Sequence, residues 1–211
     1  LSLERPVDGS KISYLAEADD GGTQNYHGML LSVERRAARG VTVGANYTFS
    51  HCIGDYASLY NPMAMHADNT YVIRDNRRFD RGNCDTDRRH IFNLTSVAET
   101  PQFANPTLRA IATGWKVSGI YRSSAGAPLV MLLGSDRALN GLEGSNPNQR
   151  PALSMQNPFG DRSAGPLAKY LNPAAFAQPD LGTLGNVGRN SIKGPGTWAF
   201  DMSVSRTFRL H

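Results

Sequence analysis

Residues 41–50, VTVGANYTFS, alternate without a break. Val41, Val43, Ala45, Tyr47 and Phe49 share one parity; Thr42, Gly44, Asn46, Thr48 and Ser50 share the other. Successive side chains of an extended chain point to opposite faces, so this segment is a strand with one apolar and one polar side. Residues 198–210 repeat the pattern. Trp198, Phe200, Met202, Val204, Phe208 and Leu210 oppose Ala199, Asp201, Ser203, Ser205, Thr207 and Arg209. Only Arg206 interrupts the apolar row, near the strand end, where a long cation reaches an interface with its charge.

Four further strands are expected. Residues 11–18 place Ile12, Tyr14 and Ala16 on one side. Residues 26–36 place Met29, Leu31 and Val33 together; Tyr26 falls on the opposite parity, which a bulge at Gly28 would repair. Residues 90–99 set Phe92, Leu94 and Ala98 against Asn93, Thr95 and Glu99. Residues 108–123 set Trp115, Val117, Gly119 and Tyr121 against Lys116, Ser118 and Arg122.

Alternation alone also describes a soluble β-sandwich. Two features favour a membrane barrel instead. Connections alternate in length: residues 37–40 and 100–107 are short, whereas residues 53–89 and 125–196 are long. Structureless loops of that length are unusual in a compact soluble domain, but short inner turns and long outer loops are the expected asymmetry of an outer-membrane barrel. Aromatics at strand ends suit a membrane interface, and a polar opposite face suits a wet lumen. Apolar residues make up 40% of the chain and mean hydropathy is −0.39. No stretch approaches the roughly 18 apolar residues of a membrane helix, a test that strands escape because they average to polar. The expected fold is all-β: an antiparallel transmembrane β-barrel segment of about six strands with two long extracellular loops. The first strand would run outward and the sixth inward, with residues 19–24 as a short outer loop, both long loops outside, and the turns at residues 37–40 and 100–107 in the periplasm. The net charge is +4, but Arg is scattered among Asp, so no nucleic-acid partner is expected.

Four segments then carry a resemblance. Residues 25–53, NYHGMLLSVERRAARGVTVGANYTFSHCI, resemble the barrel hairpin of Oar-like TonB-dependent receptors. Residues 80–97, DRGNCDTDRRHIFNLTSV, are similar to that family's D-R-G-x-(S/C)-D-x-D-R-R-H segment. Residues 114–131, GWKVSGIYRSSAGAPLVM, resemble its G-W strand and the start of the following loop. Residues 170–210 match its N-P-x-A-F and G-N-x-G-R-N elements and its last D-x-S strand. The resemblance implies transport across the outer membrane of a Gram-negative bacterium, driven by an inner-membrane TonB complex. It also implies a plug domain and TonB box upstream. Residues 1–211 are then expected to be a partial receptor barrel without its plug, and the absence of a Met at Leu1 reads as a piece of a longer precursor. About six strands are too few for the roughly 22-stranded barrel of such transporters. The implied partners are outer-membrane lipid, TonB through the plug region, and an unidentified substrate.

Few constellations carry chemistry. Cys52 ends a strand and Cys84 lies near the end of the next loop. A disulfide there is permitted by an oxidising periplasm, and closing about 31 residues would stabilise by roughly 3–4 kcal/mol in the chain-entropy model. Free thiols, or a metal site with His51 and His90, are the alternatives. Asp80, Arg81, Asp85, Asp87, Arg88 and Arg89 read as an ion-pair network at the barrel rim or in the lumen, with calcium on Asp85 and Asp87 as the rival. Nothing brings a Ser/His/Asp set together and no HExxH or GxSxG occurs, so no enzyme activity and no cofactor are expected. The Gly-rich residues 182–196 precede a strand and lack the Lys-Ser/Thr of a phosphate loop; they read as an outer loop whose glycines allow φ > 0. A passive surface barrel or adhesin-like binding protein is the functional alternative.

Overall fold

The computed structural model describes residues 21–38, 40–55, 71–73, 76–139, 149–161, 163, 165 and 168–208. Its long strands are β1 (Gln24–Ala38), β2 (Val41–Gly54), β4 (His90–Glu99), β5 (Trp115–Ser124) and β10 (Thr197–Arg206). Short strands fill the connections: β3 (Gly82–Asn83), β6 (Pro128–Leu129), β7 (Ala152–Leu153), β8 (Phe176–Ala177) and β9 (Ile192–Lys193). One helix, α1 (Pro106–Ala112), stands between β4 and β5. No helix among the described residues is long and apolar enough to cross a membrane. The strand expected over residues 11–18 lies outside the described residues.

The long strands form one sheet in the order β1-β2-β4-β5-β10, with β3 added on β2. The pairs β2–β4, β4–β5 and β5–β10 are antiparallel. Among the described residues the sheet is open, with β1 and β10 at its edges. Its register carries the sequence alternation from strand to strand. Tyr47 lies opposite Phe92, Phe92 opposite Ser123, and Ser123 opposite Trp198. Val41, Ala98, Val117 and Val204 form a second such row. The polar rows follow with equal regularity: Asn46, Asn93, Arg122 and Ala199, then Thr42, Val97, Ser118 and Ser203.

Two expectations need correction. Residues 108–114 are not the start of a strand. Pro106 pre-sets the helical φ at the first position of α1, and Asn105 Oδ1 accepts from the backbone N–H of Thr107 (2.9 Å) and Leu108 (3.3 Å). The strand begins only at Trp115. Nor is Tyr26 brought to the apolar side. Gln24 and Ser32 both reach polar-parity residues of β2: Gln24 Nε2 donates to Cys52 Sγ (3.2 Å) and Ser32 Oγ to Asn46 Oδ1 (2.7 Å). One parity therefore serves at both contacts, and Tyr26 belongs with the polar residues.

Turn chemistry at the short-connection end is repeated. Gly40 and Gly114 precede β2 and β5 with φ of +79° and +82°. An added Cβ would stand 2.6 Å from Glu99 O at Gly40 and 2.7 Å from Thr207 O at Gly114. Both positions therefore require glycine for conformation and for space.

The chain divides into two compact units. The sheet unit comprises residues 27–51, 88–126 and 196–211; the loop unit comprises residues 1–26, 52–87 and 127–195. Every buried hydrophobic side chain among the described residues, namely Cys52, Val72, Ala175, Val187 and Ile192, lies in the loop unit.

Candidate functional site

The sheet unit presents its apolar rows to the outside. On β10, Trp198 is 73% exposed and Met202 65%, and Phe200 and Val204 are also exposed. Met29, Leu31 and Val33 on β1, Val41 and Phe49 on β2, and Trp115 and Val117 on β5 are exposed as well. Phe200 lies over Gly119, where its ring would come within 3.3 Å of an added Cβ. Among the described residues no second layer covers these side chains, and rows of large exposed apolar side chains of this kind mark a surface that meets something other than water. The opposite face carries ion pairs between strands: Arg122 Nη2 to Asp201 Oδ2 at 2.7 Å and Lys116 Nζ to Glu99 Oε1 at 3.4 Å. Exposed Leu30 and Ile120 share this parity, but its Thr, Asn, Ser and paired charges make it a face that water can wet.

Aromatics and cations gather at both ends of the apolar face. At the long-loop end, Tyr47 Oη and His90 Nδ1 are 2.7 Å apart, and the His90 ring also packs against Phe49 at 5.3 Å between centroids. The Arg89 guanidinium lies 5.9 Å from the centre of the Phe49 ring. At the other end, Arg206, the cation that interrupts the apolar row, stacks on Trp115 (5.4 Å) and Phe208 (4.7 Å).

The loop unit is built differently. Cys52 and Cys84 are joined by a disulfide, with their Cα atoms 5.4 Å apart. Asp87, 3% exposed, sits beside it and accepts from Cys52 N–H (2.8 Å) and Lys193 Nζ (2.7 Å). Asp80 accepts from Val72 N–H (2.8 Å) and Arg150 Nη1 (2.6 Å). Arg150 Nε also donates to Val187 O (2.9 Å) and Nη2 to Phe79 O (2.9 Å), with its guanidinium 4.5 Å from the Phe79 ring centre. Asp85 accepts from Asn190 Nδ2 (2.5 Å) and stands 3.7 Å from Arg189 Nη2. Gln149, 1% exposed, accepts from the N–H groups of Arg137 and Ala138 and donates to Asp136. Asp80, Asp87 and Arg150 are tolerated in buried positions because their donors and acceptors are matched.

Of the six residues expected in an ion-pair network, the structure divides four from two. Asp80, Arg81, Asp85 and Asp87 lie in the loop unit, where the acids meet Arg150, Arg189 and Lys193 from the second long connection. Arg81 reaches Thr23 Oγ1 (3.1 Å). Arg88 and Arg89 lie in the sheet unit, where Arg88 O accepts from Ser50 Oγ (3.0 Å) and Arg89 faces Phe49. The cations on the second connection went unread because they are some 70 to 106 residues from their acids in the chain. The Gly-rich stretch also differs in its reason. Gly182 alone of its glycines takes positive φ (+81°), whereas Gly185 and Gly194 admit a close backbone: an added Cβ would lie 2.0 Å from Arg150 O and 3.1 Å from Ala127 O, respectively. Asn190 holds a left-handed conformation itself, at φ +52°.

Asp55 closes the loop unit at the end of β2. It accepts from Thr23 N–H (2.6 Å) and Thr23 Oγ1 (2.9 Å). Burial pushes its pKa up, but the Thr23 hydrogen bonds and the Arg81 charge together hold it below the usual carboxylate value. Among the described residues no group of three or more His, Cys, Asp or Glu converges as metal ligands would.

The family model described as outer membrane beta barrel domain matches residues 2–211. No curated protein matches the chain, and no solved structure does.

Proposed function

The chain belongs to the outer membrane beta barrel domain family, and we propose, on the resemblance of its four sequence segments, that it is the barrel portion of an Oar-like TonB-dependent receptor, moving a substrate across the outer membrane. Membership puts the protein in the outer membrane of a Gram-negative bacterium. The observation that carries the membrane part of the reading is the reversal of the usual soluble pattern in the sheet unit, with exposed apolar rows on one face and paired charges on the other. The apolar face meets lipid tails and the polar face meets the water of the lumen.

The transport part is supported by the four sequence segments of the Oar-like type. The described parts of the two long connections, joined by Asp80–Arg150 and Asp87–Lys193, are the surface this reading offers to substrate. Residues of the polar sheet face line its route. A plug upstream, engaged by TonB through its box, opens that route. No residue of the chain performs a chemical step in this account, and no cofactor takes part.

The test uses the intact gene product in detergent and the periplasmic domain of TonB on a solid support. The receptor should be retained, and removal of its TonB-box segment should abolish retention. A gene product that never binds TonB is a passive surface barrel or an adhesin-like binding protein, and the transport proposal fails.

A further inference from the structure

Helix α1 is a short helix with nothing to cover. None of its residues is buried; Leu108 is 49% exposed and Ile111 64%. These two lie three positions apart and so share a face. A helix of this length does not persist in water on its own propensity. Its C-terminal turn is held from outside. Trp115 Nε1 donates to Ile111 O (2.8 Å), Arg206 Nε donates to Thr113 O (3.3 Å), and Arg206 Nη2 also donates to Ala110 O. At the other end, Arg109 donates back to Phe103 O (3.0 Å) and Ala104 O (3.2 Å).

The residues that hold the helix decide what meets its apolar face. Trp115 and Arg206 are cross-strand partners at the end of the apolar rows. Phe208 stacks on the same guanidinium. Trp, Phe and an Arg at the end of a lipid-facing row make an interfacial belt, where rings lie among headgroups and the cation reaches water. The helix is tied to that belt by two of its carbonyls, Ala110 O and Ile111 O, and by that of its C-cap, Thr113. Its only charged side chain is the cation Arg109.

We propose that α1 is a membrane-surface helix: it lies among the phospholipid headgroups of the inner leaflet of the outer membrane, with Leu108 and Ile111 inserted at the top of the acyl chains. The occupant of its apolar face is anionic phospholipid. An apolar side facing down and a basic residue at the surface are what such helices use. The inference rests on the outer-membrane reading above and on the short-connection end of the sheet facing the periplasm. In function, α1 fixes the depth and tilt of β4 and β5, since helix and belt move together.

The test places an environment-sensitive fluorophore on single cysteines in the intact gene product: Ile111→Cys, Leu108→Cys, Met202→Cys and Ser203→Cys. Cys52 and Cys84 are bonded to each other and do not take label. The protein is reconstituted in phosphatidylethanolamine–phosphatidylglycerol vesicles with a nitroxide near the headgroups or near the acyl ends. Labels at Ile111 and Leu108 should emit to the blue of water and be quenched more by the shallow nitroxide. The label at Met202 should be quenched more by the deep one, and that at Ser203 by neither. Water-like emission at both helix positions, or blue emission that neither nitroxide quenches, overturns the inference while quenching at Met202 leaves the barrel reading standing; the second of these results means a protein surface covers the helix. Loss of quenching at Met202 as well overturns both.

Discussion

Among the described residues, the sheet unit carries rows of large apolar side chains exposed and buries almost none, whereas the loop unit, which also exposes Val130, Met155 and Leu181, buries charged side chains such as Asp80, Asp87 and Arg150. The sheet unit has almost nothing buried; Ser50 and Gly119 are its buried residues among those described. It is held by ladder hydrogen bonds along β2, β4, β5 and β10, and its apolar rows gain their burial only from lipid. The loop unit faces the opposite problem. Among the described residues its buried hydrophobic side chains are few and mostly small, so they do not make a large core. A disulfide and matched ion pairs take that role. The difference shows that burial has to be judged against the solvent each region meets. Exposed Met202 is in its favourable place, and so is buried Arg150.

The sharpest way to break this comparison is to remove one cation from each region. Arg150→Ala should destabilise the loop unit by about 3–5 kcal/mol, because it leaves Asp80 charged and buried without its partner. Side-chain exposures of 7% for Arg150 and 9% for Asp80 make the pair a dry one. Arg122→Gln should change the sheet by less than about 1 kcal/mol, because that pair is 60% exposed on both sides. Hydrogen exchange read by peptide checks both. Arg150→Ala should raise exchange across residues 149–193 and leave residues 90–99 and 115–124 as they were. Equal rises in both regions would mean that the loop unit has no stability of its own.

A smaller effect comes from Asp55. Its pKa is lowered in the folded protein, so the ionised form is the one the fold favours. The stability it contributes is fully present above the ordinary carboxylate value of 3.8 and is lost as pH falls from there through its folded pKa. Exchange of the Thr23 and Asp55 amides should therefore quicken on acidification through that window. Thr23→Val, which removes the hydroxyl bond to Asp55 and the acceptor of Arg81, should lessen the dependence and cost about 1–2 kcal/mol. An amide that exchanges at a pH-corrected rate unchanged across the window would count against the clamp.

The two regions were also unequally legible in the sequence. Period-two alternation located β2, β4 and β10 and the residues of their two faces, because a strand's facing is a local property, but it ran past the end of β10 at Arg206 to Thr207 and Phe208, which lie outside the strand. It misled at Tyr26, where an aromatic residue was assigned to the apolar side on its chemistry although its parity is polar. It also ran past α1. Seven helical residues are too short for a periodic signal, yet Asn105 followed by Pro106 was a cap signature open to reading. The loop unit was hidden for another reason. Asp80, Asp85 and Asp87 stood out as a cluster, but nothing local points to Arg150, Arg189 or Lys193 as the cations that meet them. Such partners are fixed by how two distant connections fold together, and a single sequence does not state that.

The central claim is that the rows through Phe200, Met202 and Val204 face hydrocarbon while Asp201 and Ser203 face water. A carbene-generating photolabel carried on a phospholipid acyl chain, with adducts mapped by mass spectrometry on the intact protein in vesicles, reads this residue by residue. The account predicts adducts on Phe200, Met202 and Val204, none on Asp201 or Ser203, and none on the peptide containing Gln149 and Arg150. Equal labelling of both parities of β10, or no labelling of that strand beside a labelled Gln149–Arg150 peptide, would contradict it.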